Sequence, residues 1–525
     1  MTSKQQTLVG GISVLGIAGL ICKVVGVLYL IPLANLVGSH GLGVYNQVFP
    51  SYNLMLTISS AGIPVAISRM VAARVMRGQA KNPNRVFRAA LLILTVLGLL
   101  STLVMMLFSR RFAEATGTPE SVHGFLMIAP SLLLVCMMSA FRGFMQGRRR
   151  MWPTAISQLI EQVGKVGVAL PLAYSFMQNG GYAMGVAGAL LGTSIAEAVA
   201  LLYMAVDYFF LRPKLLPAIA ADQHPVEPYK SIVKELVYTA IPITIGACIV
   251  PLAGAIDSFM LVKLMKVYLP EDVALSNYGI YAGLVISLIN VPTALAMAMS
   301  SNLVPAISGK RAAGDTEGIK RDAAAGLRLA MVVGLPSSVG MSLLSYPILR
   351  LLFHSKYTLD QLRLGSELLN ISALTIVVFT LVQATSGILQ GLYKQRIPMY
   401  TLFLGVLVKV GINYTAVQIP QINIYGAPWA SLTCYVISAG LNLYYVAKYT
   451  KMKLSLSELL LRPGLATIAM ALPVYLISVW QGERLGTSWL FMGLVILLAV
   501  AVYFVAGLKT KAIKAEDLPA RLRRK

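Results

Sequence analysis

The chain has 525 residues, of which 57% are hydrophobic and 12% are charged, and its mean hydropathy is +0.74. Soluble domains carry about 25% charged residues, so this composition excludes a string of soluble domains and predicts a protein that lies mainly in a bilayer. Basic residues outnumber acidic ones by 44 to 20, which gives a net charge of +24. The position of those basic residues decides whether the charge indicates nucleic-acid binding or membrane topology.

Fourteen apolar segments follow one another along the chain, and each is long enough to cross a bilayer as a helix of about 20 residues. Internal prolines in several of them are typical of membrane helices that kink beside an interior. The sequence therefore predicts an all-α polytopic membrane protein. The segments lie at 9–37, 44–73, 88–108, 124–146, 153–176, 183–209, 235–262, 277–307, 327–349, 366–391, 398–418, 425–447, 463–480 and 488–507.

The basic residues are distributed asymmetrically between the two sides of the membrane. An even number of spans places both termini on one side, and if that side is the cytoplasm, 33 Lys and Arg fall on inner segments and 8 on outer ones. Basic residues within about four positions of an inner span end are counted as inner, and the remaining 3 lie deeper in spans, at Lys23, Lys165 and Lys409. We expect both termini in the cytoplasm and a retained first helix, since no cleavage site follows it. Topology accounts for the net charge without a nucleic-acid partner.

Motifs of soluble chemistry are missing from the chain. The four cysteines and four histidines lack the spacing of a metal or redox site, and no phosphate-binding glycine loop is present. We therefore expect no metal, no cofactor, no ATPase and no enzymatic activity.

An internal duplication divides the first twelve spans. Five residues recur 244 positions later: Gly143, Gln146, Gly147, Lys165 and Gly167 as Gly387, Gln390, Gly391, Lys409 and Gly411. Gly188-Ala189 corresponds to Gly426-Ala427, and Pro64–Ser68 loosely resembles Pro305–Ser308. Six spans are an even number, so both copies insert with the same orientation, an arrangement typical of transporters that open a central site alternately to either side.

The duplication predicts the domain organisation. We expect two six-helix repeats in a V-shaped bundle, a cytoplasmic linker between them, and two C-terminal helices with a basic tail. The boundaries are 1–211 for the first repeat, 212–234 for the linker, 235–450 for the second repeat and 451–525 for helices 13 and 14 with the tail.

Charged residues within the spans are the candidate site. A charged side chain at mid-bilayer has a high free-energy cost, so it needs a partner of opposite charge, contact with water or a functional role. Lys23 lies in the middle of the first span and either contacts an anionic ligand or pairs with a carboxylate such as Asp257. Asp257 and Glu197 are the carboxylates that could couple transport to H⁺ or Na⁺; the membrane potential is the other energy source.

A polar stripe on the fifth span supports the same interpretation. Gln158, Glu161, Gln162 and Lys165 share one helix face, and Glu161 and Lys165 have the spacing of a local ion pair. Gly405 replaces Glu161 in the second repeat, which deprives Lys409 of that neighbour. Further candidates for the polar cavity face are Asn53 and Gln390, and Arg142 is placed to contact a phosphate or to anchor its helix.

The chain resembles a known family in several motifs. The run 142–147, followed by Pro153-Thr154, Ser157-Gln158 and Glu161-Gln162, is similar to the signature region of bacterial polysaccharide exporters and lipid II flippases. This group includes stage V sporulation protein B and belongs to the multidrug, oligosaccharidyl-lipid and polysaccharide exporter superfamily. The segments 23–32, 43–45 and 62–68 match the same group.

The resemblance implies movement of an undecaprenyl-pyrophosphate-linked sugar, such as lipid II, from the inner to the outer leaflet. The family usually has arginine at the position of Lys23, in a cationic cavity for the pyrophosphate, so this chain keeps the charge but loses bidentate geometry. It also implies a bacterial plasma-membrane protein, expected as a monomer with membrane lipids and cell-envelope synthesis proteins as partners. Cell-wall, spore and capsule roles are not distinguished.

Three alternatives remain. A cation-coupled drug exporter would have a cavity rich in carboxylates and aromatic residues. A membrane glycan polymerase or ligase would need a larger external segment than 350–367. A non-transporting envelope scaffold would keep its function after removal of Lys23.

Overall fold

The computed structural model describes residues 3–452 and 455–514, without the side chains of residues 3–17, Leu20, Lys23, Val27 and Ser301. Within these ranges every regular element is helical and no strand occurs, which confirms the all-α prediction. The chain forms two compact units. The first contains the described residues up to Lys263 together with Glu271–Gly279, and the second contains Leu264–Pro270 and the described residues from Ile280 onwards.

The helices follow the order of the predicted spans. The first unit contains α1 Ser3–Ser60, α2 Ile63–Met76, α3 Lys81–Leu107, α4 Ser109–Thr116, α5 Val122–Gly147, α6 Trp152–Gly164, α7 Leu170–Ala221, nearly all of α8 Tyr229–Met265, and α9 Glu271–Tyr278. The second contains α10 Ile286–Ala312, α11 Thr316–Leu343, α12 Ser345–Phe353, α13 Leu359–Gly391, α14 Arg396–Ala416, α15 Gly426–Thr450, α16 Arg462–Leu485 and α17 Trp489–Lys509. Three π-helical segments adjoin them, at Lys165–Ala169, Gly279–Val285 and Ser457–Leu461.

Twelve helical runs in the described residues are long and apolar enough to cross a membrane. Two of these runs each contain two predicted spans, joined where the backbone leaves the helical conformation. The break lies at Gly38 in α1 and at Gly180-Gly181 in α7, and both Gly38 and Gly181 have positive φ, which glycine adopts without a steric penalty. Counting the two sides of each break separately gives the fourteen predicted spans.

The helices extend beyond the apolar segments at their polar ends. α3 begins at Lys81, not at 88, and α11 begins at Thr316, not at 327. Polar caps support these extensions: Asp315 accepts a 2.7 Å hydrogen bond from Gly318 N at the start of α11, and Thr358 forms a capping box with Gln361 at the start of α13. Hydropathy marks the part of a helix that crosses lipid, so it misses the turns in the headgroup region.

A buried aromatic cluster forms the core of the first unit. The ring of Phe87 on α3 lies 4.7–5.2 Å from the rings of Phe141, Phe144 and Tyr208, measured between centroids. The beginning of α8 packs into the same core through three side chains, Ile232, Leu236 and Ala240. Thr244 Oγ1, one turn further along α8, accepts a 3.1 Å hydrogen bond from Gly62 N.

Glycine packing reproduces the duplication inside each unit. A Cβ atom on Gly143 would lie 2.8 Å from the Pro64 carbonyl oxygen, and one on Gly387 would lie 2.8 Å from that of Ser300. Four residues later, a Cβ atom on Gly147 or Gly391 would lie 2.7 Å from the Cβ atom of Val71 or Ile307, respectively. The same close helix approach therefore occurs in both units, as expected of two copies of one helical repeat.

This packing corrects one sequence match. Pro64 corresponds to Ser300 and Val71 to Ile307, a shift of 236 positions in both cases. The loose resemblance of Pro64–Ser68 to Pro305–Ser308 needs a different shift, so it does not relate equivalent residues. Proline and small residues recur often in membrane helices, and a short match between them is therefore a weak guide to equivalence.

The predicted linker at 212–234 contains the end of α7, an extended segment at 222–228 and the beginning of α8. The extended segment docks on the start of α3. Asp222 Oδ2 accepts 2.7 Å hydrogen bonds from Ala80 N and Lys81 N, and Asn82 exchanges hydrogen bonds with the backbone of Pro225 and Glu227. Since α3 has no side-chain cap from its own N-cap residue, Asp222 supplies the missing acceptor from 142 residues away.

Asp222→Asn is expected to lower the melting temperature of the purified protein at neutral pH. Backbone hydrogen bonds from Lys81, His224 and Ala80 hold the pKa of the Asp222 carboxyl well below its usual range. A depressed carboxyl pKa stabilises the fold fully above the unfolded value of about 3.9, and this contribution is lost as pH falls through the folded value. In melting curves recorded between pH 8 and 3, the variant should melt below the wild-type protein by a constant amount at neutral pH, and this difference should shrink below pH of about 4. A difference in melting temperature that stays constant down to pH 3 would contradict the role given to the Asp222 carboxylate.

Candidate functional site

A polar cluster lies within the membrane spans of the first unit, where α5, α6 and α7 pack together. A terminal guanidinium nitrogen of Arg142 lies 3.1 Å from Glu161 Oε1, and the side chains of both residues are 14% exposed. Arg142 Nε donates a 2.9 Å hydrogen bond to Ser157 Oγ. Arg142 is thus held to α6 by an ion pair and a hydrogen bond, one helical turn apart.

The local sequence explains the arrangement. Pro153 begins α6, where a missing backbone N–H costs nothing. Ser157 and Glu161 lie four residues apart on the face of α6 that contacts Arg142 on α5, and Lys165 follows at the same interval where the π-helical segment begins. The close approach of α5 to α2 at Gly143 positions the α5 backbone beside Arg142.

Lys165 is the cation of this cluster that remains without an ion pair. It begins the π-helical segment that follows α6, its side chain is half-buried, and it pairs with none of the carboxylates that the structure describes. Glu161, its expected local partner, contacts Arg142.

Glu197 on α7 is the most buried carboxylate of the cluster, with 5% of its surface exposed. Tyr52 on α1 donates a 3.2 Å hydrogen bond to its Oε1. Its Oε2 atom and the Oε1 atom of Gln158 are buried without a hydrogen-bond partner among the described residues. Gln162 faces α1, because its Oε1 would lie 3.6 Å from a Cβ atom on Gly26.

The other candidate residues are spread over both units. Asn53 on α1 is exposed and Asp257 on α8 is half-buried. In the second unit, Lys409 on α14 is half-buried, and Gln390 is exposed at the end of α13. Lys23 belongs to α1, but its side chain lies outside the described residues.

The second unit contains a different set of side chains at the equivalent positions. The shift of 244 relates Arg142 to Ser386 and Glu161 to Gly405, and the shift of 238 between Gly188 and Gly426 relates Glu197 to Tyr435. The ring of Tyr435 contacts that of Phe379, with centroids 5.2 Å apart. Arg142, Glu161 and Glu197 thus have uncharged residues at the equivalent positions. Lys165 is the one charged residue of the cluster whose counterpart, Lys409, is also charged.

Sequence patterns did not identify two members of the cluster. Ser157 and Tyr52 complete the contacts of Arg142 and Glu197, but a serine and a tyrosine in an apolar helix are more often simple packing residues. Ser157 carried a signal, since it precedes Glu161 by one turn. The described residues contain no group of three or more His, Cys, Asp or Glu side chains arranged to hold a metal ion.

Comparison with known proteins assigns the family. The family model described as "Polysaccharide biosynthesis protein" matches residues 8–309, more than half of the chain, and a second model, MatE, matches residues 242–415. The lipid II flippase MurJ of Bacillus subtilis (strain 168) is 27% identical over 451 residues, which cover 83% of this chain and 81% of that protein. Stage V sporulation protein B of the same organism is 24% identical over 524 residues, covering 98% and 97%.

Solved structures share the fold. A multidrug resistance MATE family transporter in an inward-facing conformation aligns with a TM-score of 0.68 at 15% identity, covering 83% of this chain and 98% of that one. The lipid II flippase MurJ in an inward closed conformation aligns with a TM-score of 0.68 at 13% identity, covering 93% and 97%. The chain is therefore a multi-pass membrane protein that belongs to the family described as polysaccharide biosynthesis protein and shares the fold of these transporters.

Proposed function

We propose that this transporter flips an undecaprenyl-pyrophosphate-linked sugar, lipid II or a related envelope precursor, from the inner to the outer leaflet by alternating access. The observation that carries the proposal is Lys165, a half-buried cation in a membrane span without an ion pair among the described residues, next to the pair of Arg142 and Glu161. An ammonium group at such a depth is costly unless water or an anion accompanies it, and a pyrophosphate is such an anion.

The chemistry of the cluster suits this substrate. A pyrophosphate in hydrocarbon would lose its hydration without compensation, whereas cations along a wet path lower that barrier, and the prenyl tail stays in lipid. In this proposal Lys23, Lys165, Lys409 and Arg142 contact the phosphates, and amides such as Asn53, Gln158, Gln162 and Gln390 contact the sugar. Lysine at position 23 attracts charge but does not form the bidentate contact of arginine.

The relatives support a lipid-linked substrate, but they do not favour one particular sugar headgroup. One is named a lipid II flippase and another a sporulation protein, and both cover most of this chain at 24–27% identity. The split of 33 inner to 8 outer basic residues supports a bacterial plasma-membrane location with both termini in the cytoplasm. We propose that the protein acts as a monomer beside cell-envelope synthesis proteins.

Depletion of this chain from cells that have no other flippase is expected to trap the lipid-linked precursor in the inner leaflet. The measurement is the fraction of precursor that a membrane-impermeant reagent modifies from outside. Wild-type protein should restore outer exposure, and Lys23→Ala at equal expression should restore only part of it. Undiminished outer exposure after depletion would contradict the proposed function, and full restoration by Lys23→Ala would remove that residue from the site.

A cation-coupled multidrug exporter is the second candidate, favoured by the buried Glu197 with its bond from Tyr52 and by the multidrug transporter among the structural neighbours. In either case H⁺ or Na⁺ at Glu197 or Asp257, or the membrane potential, would supply the energy. Proteoliposomes with imposed ion gradients distinguish the candidates. Gradient-driven efflux of a cationic dye that Glu197→Gln abolishes supports the exporter, and translocation of a fluorescent lipid-linked pyrophosphate supports the flippase.

A further inference from the structure

We propose that Glu161 is a built-in competitor for the anionic ligand: it occupies Arg142 in the empty site and is displaced when a phosphate group of the ligand binds. The residue thereby sets how tightly the site holds anions. This inference rests on the proposed function and deepens it, because it names a residue that tunes affinity without contacting the ligand.

The geometry provides the first argument. Glu161 precedes Lys165 by four residues, the favoured spacing for a helical ion pair, yet its Oε1 lies 3.1 Å from the Arg142 guanidinium group on α5. A carboxylate and a phosphate offer a guanidinium group the same kind of charged oxygen acceptors. Both side chains keep 14% of their surface exposed, but the Arg142 Nη2 atom that faces Glu161 is itself buried and has no hydrogen-bond partner among the described residues, so the contact with Glu161 is an ion pair without a hydrogen bond.

Ser157 provides the second argument. It accepts a 2.9 Å hydrogen bond from Arg142 Nε and donates to the Thr154 carbonyl oxygen at 2.8 Å. Because Ser157 is completely buried, it holds the guanidinium group against α6 independently of Glu161. Arg142 therefore keeps its place when the carboxylate leaves, which exchange of one anion for another requires.

The duplication provides the third argument. The second unit keeps the lysine as Lys409 but has Gly405 at the position of Glu161 and Ser386 at that of Arg142. The arginine and the carboxylate are therefore absent together, as expected of two groups that act on each other.

The π-helical segment is consistent with this division of roles. α6 ends at Gly164, and the π-helical segment Lys165–Ala169, with its wider turn, begins at Lys165 itself. Lys165 can contact a ligand, whereas Arg142 is already paired with Glu161. The first unit thus presents one open and one occupied cation.

Binding of farnesyl pyrophosphate to the full-length protein in nanodiscs tests the inference, with farnesol as the uncharged comparison. Glu161→Gln keeps a side chain of the same size but removes the competing charge, so it should bind the pyrophosphate about tenfold more tightly, which corresponds to about 1.4 kcal/mol. Arg142→Gln should weaken binding. In the double variant the gain from Glu161→Gln should vanish, because the carboxylate competes only for Arg142.

The matched control is Glu114→Gln, which removes the same charge from an exposed ion pair with Arg110 on α4 and should leave binding unchanged. A Glu161→Gln protein that binds no more tightly than wild type overturns the inference, as does a gain that persists with Arg142→Gln. If the wild-type protein binds farnesol and farnesyl pyrophosphate equally, the proposed function itself fails. Melting temperatures of all variants identify losses that come from unfolding.

Discussion

Alanine at Gly143, or at its duplicate Gly387, is expected to lower the melting temperature of the protein clearly and to reduce its yield in membranes. In each case the added Cβ atom would lie 2.8 Å from a backbone carbonyl oxygen, of Pro64 or of Ser300, so a neighbouring helix must move rather than a flexible side chain. Overpacking of this kind costs about 1–3 kcal/mol and occasionally more. Thermal unfolding of the purified protein, followed by size-exclusion chromatography, measures the effect.

The duplication also supplies the control. Gly167 and Gly411 are identical in the two repeats, as Gly143 and Gly387 are, but a Cβ atom at either position would meet no atom within 4 Å. Alanine should therefore be tolerated at both, and it even favours the helix slightly over glycine. Equal loss of stability at the crowded and the open positions would show that the identities do not report helix packing.

Replacing Lys165 and Lys409 together by glutamine is expected to reduce translocation of a lipid-linked pyrophosphate to near background. Each single change should reduce the rate by about tenfold or more, since two charges at contact interact by several kcal/mol in a medium of intermediate polarity and 1.4 kcal/mol corresponds to a factor of ten. Glutamine keeps length and hydrogen-bonding capacity but not charge. The measurement is the initial rate of fluorescent substrate translocation in proteoliposomes containing equal amounts of folded protein.

Lys214→Gln serves as the comparison for these variants, because Lys214 is exposed near the end of α7 and loses the same charge. It should translocate at the wild-type rate. Wild-type translocation by the double variant would exclude the two lysines from the substrate path. A loss in only one of the single variants would restrict the charge requirement to one repeat.

Most of the fold was predictable because hydropathy reports burial in lipid directly. The fourteen spans and the two repeats follow from apolar length and from five identities at one shift. The ends of α3 and α11 were not predictable in this way, since polar residues such as Asp222 and Asp315 cap them in the headgroup region. The cap on α3 comes from a residue distant in sequence, which no local pattern reveals.

The sequence pointed to Arg142, Glu161 and Lys165 as candidates, but it did not identify Ser157 or Tyr52 and did not predict which side chains pair. Helical spacing suggests a pair between Glu161 and Lys165, whereas the carboxylate contacts Arg142 on a different helix. Likewise the bond from Tyr52 to Glu197 joins residues 145 positions apart. A sequence shows which charges a helix face presents, but helix packing decides which of them meet.

The docked segment after α7 determines how firmly the beginning of α8 is attached to the first unit. Asp222 and Glu227 attach the segment to the start of α3 and to Arg74, and Thr244, about four turns into α8, is hydrogen-bonded to Gly62. The segment 222–228 between α7 and α8 is therefore not a flexible linker. Beyond Thr244, Pro251 is the next point at which α8 is weakened, because its ring removes a backbone hydrogen bond.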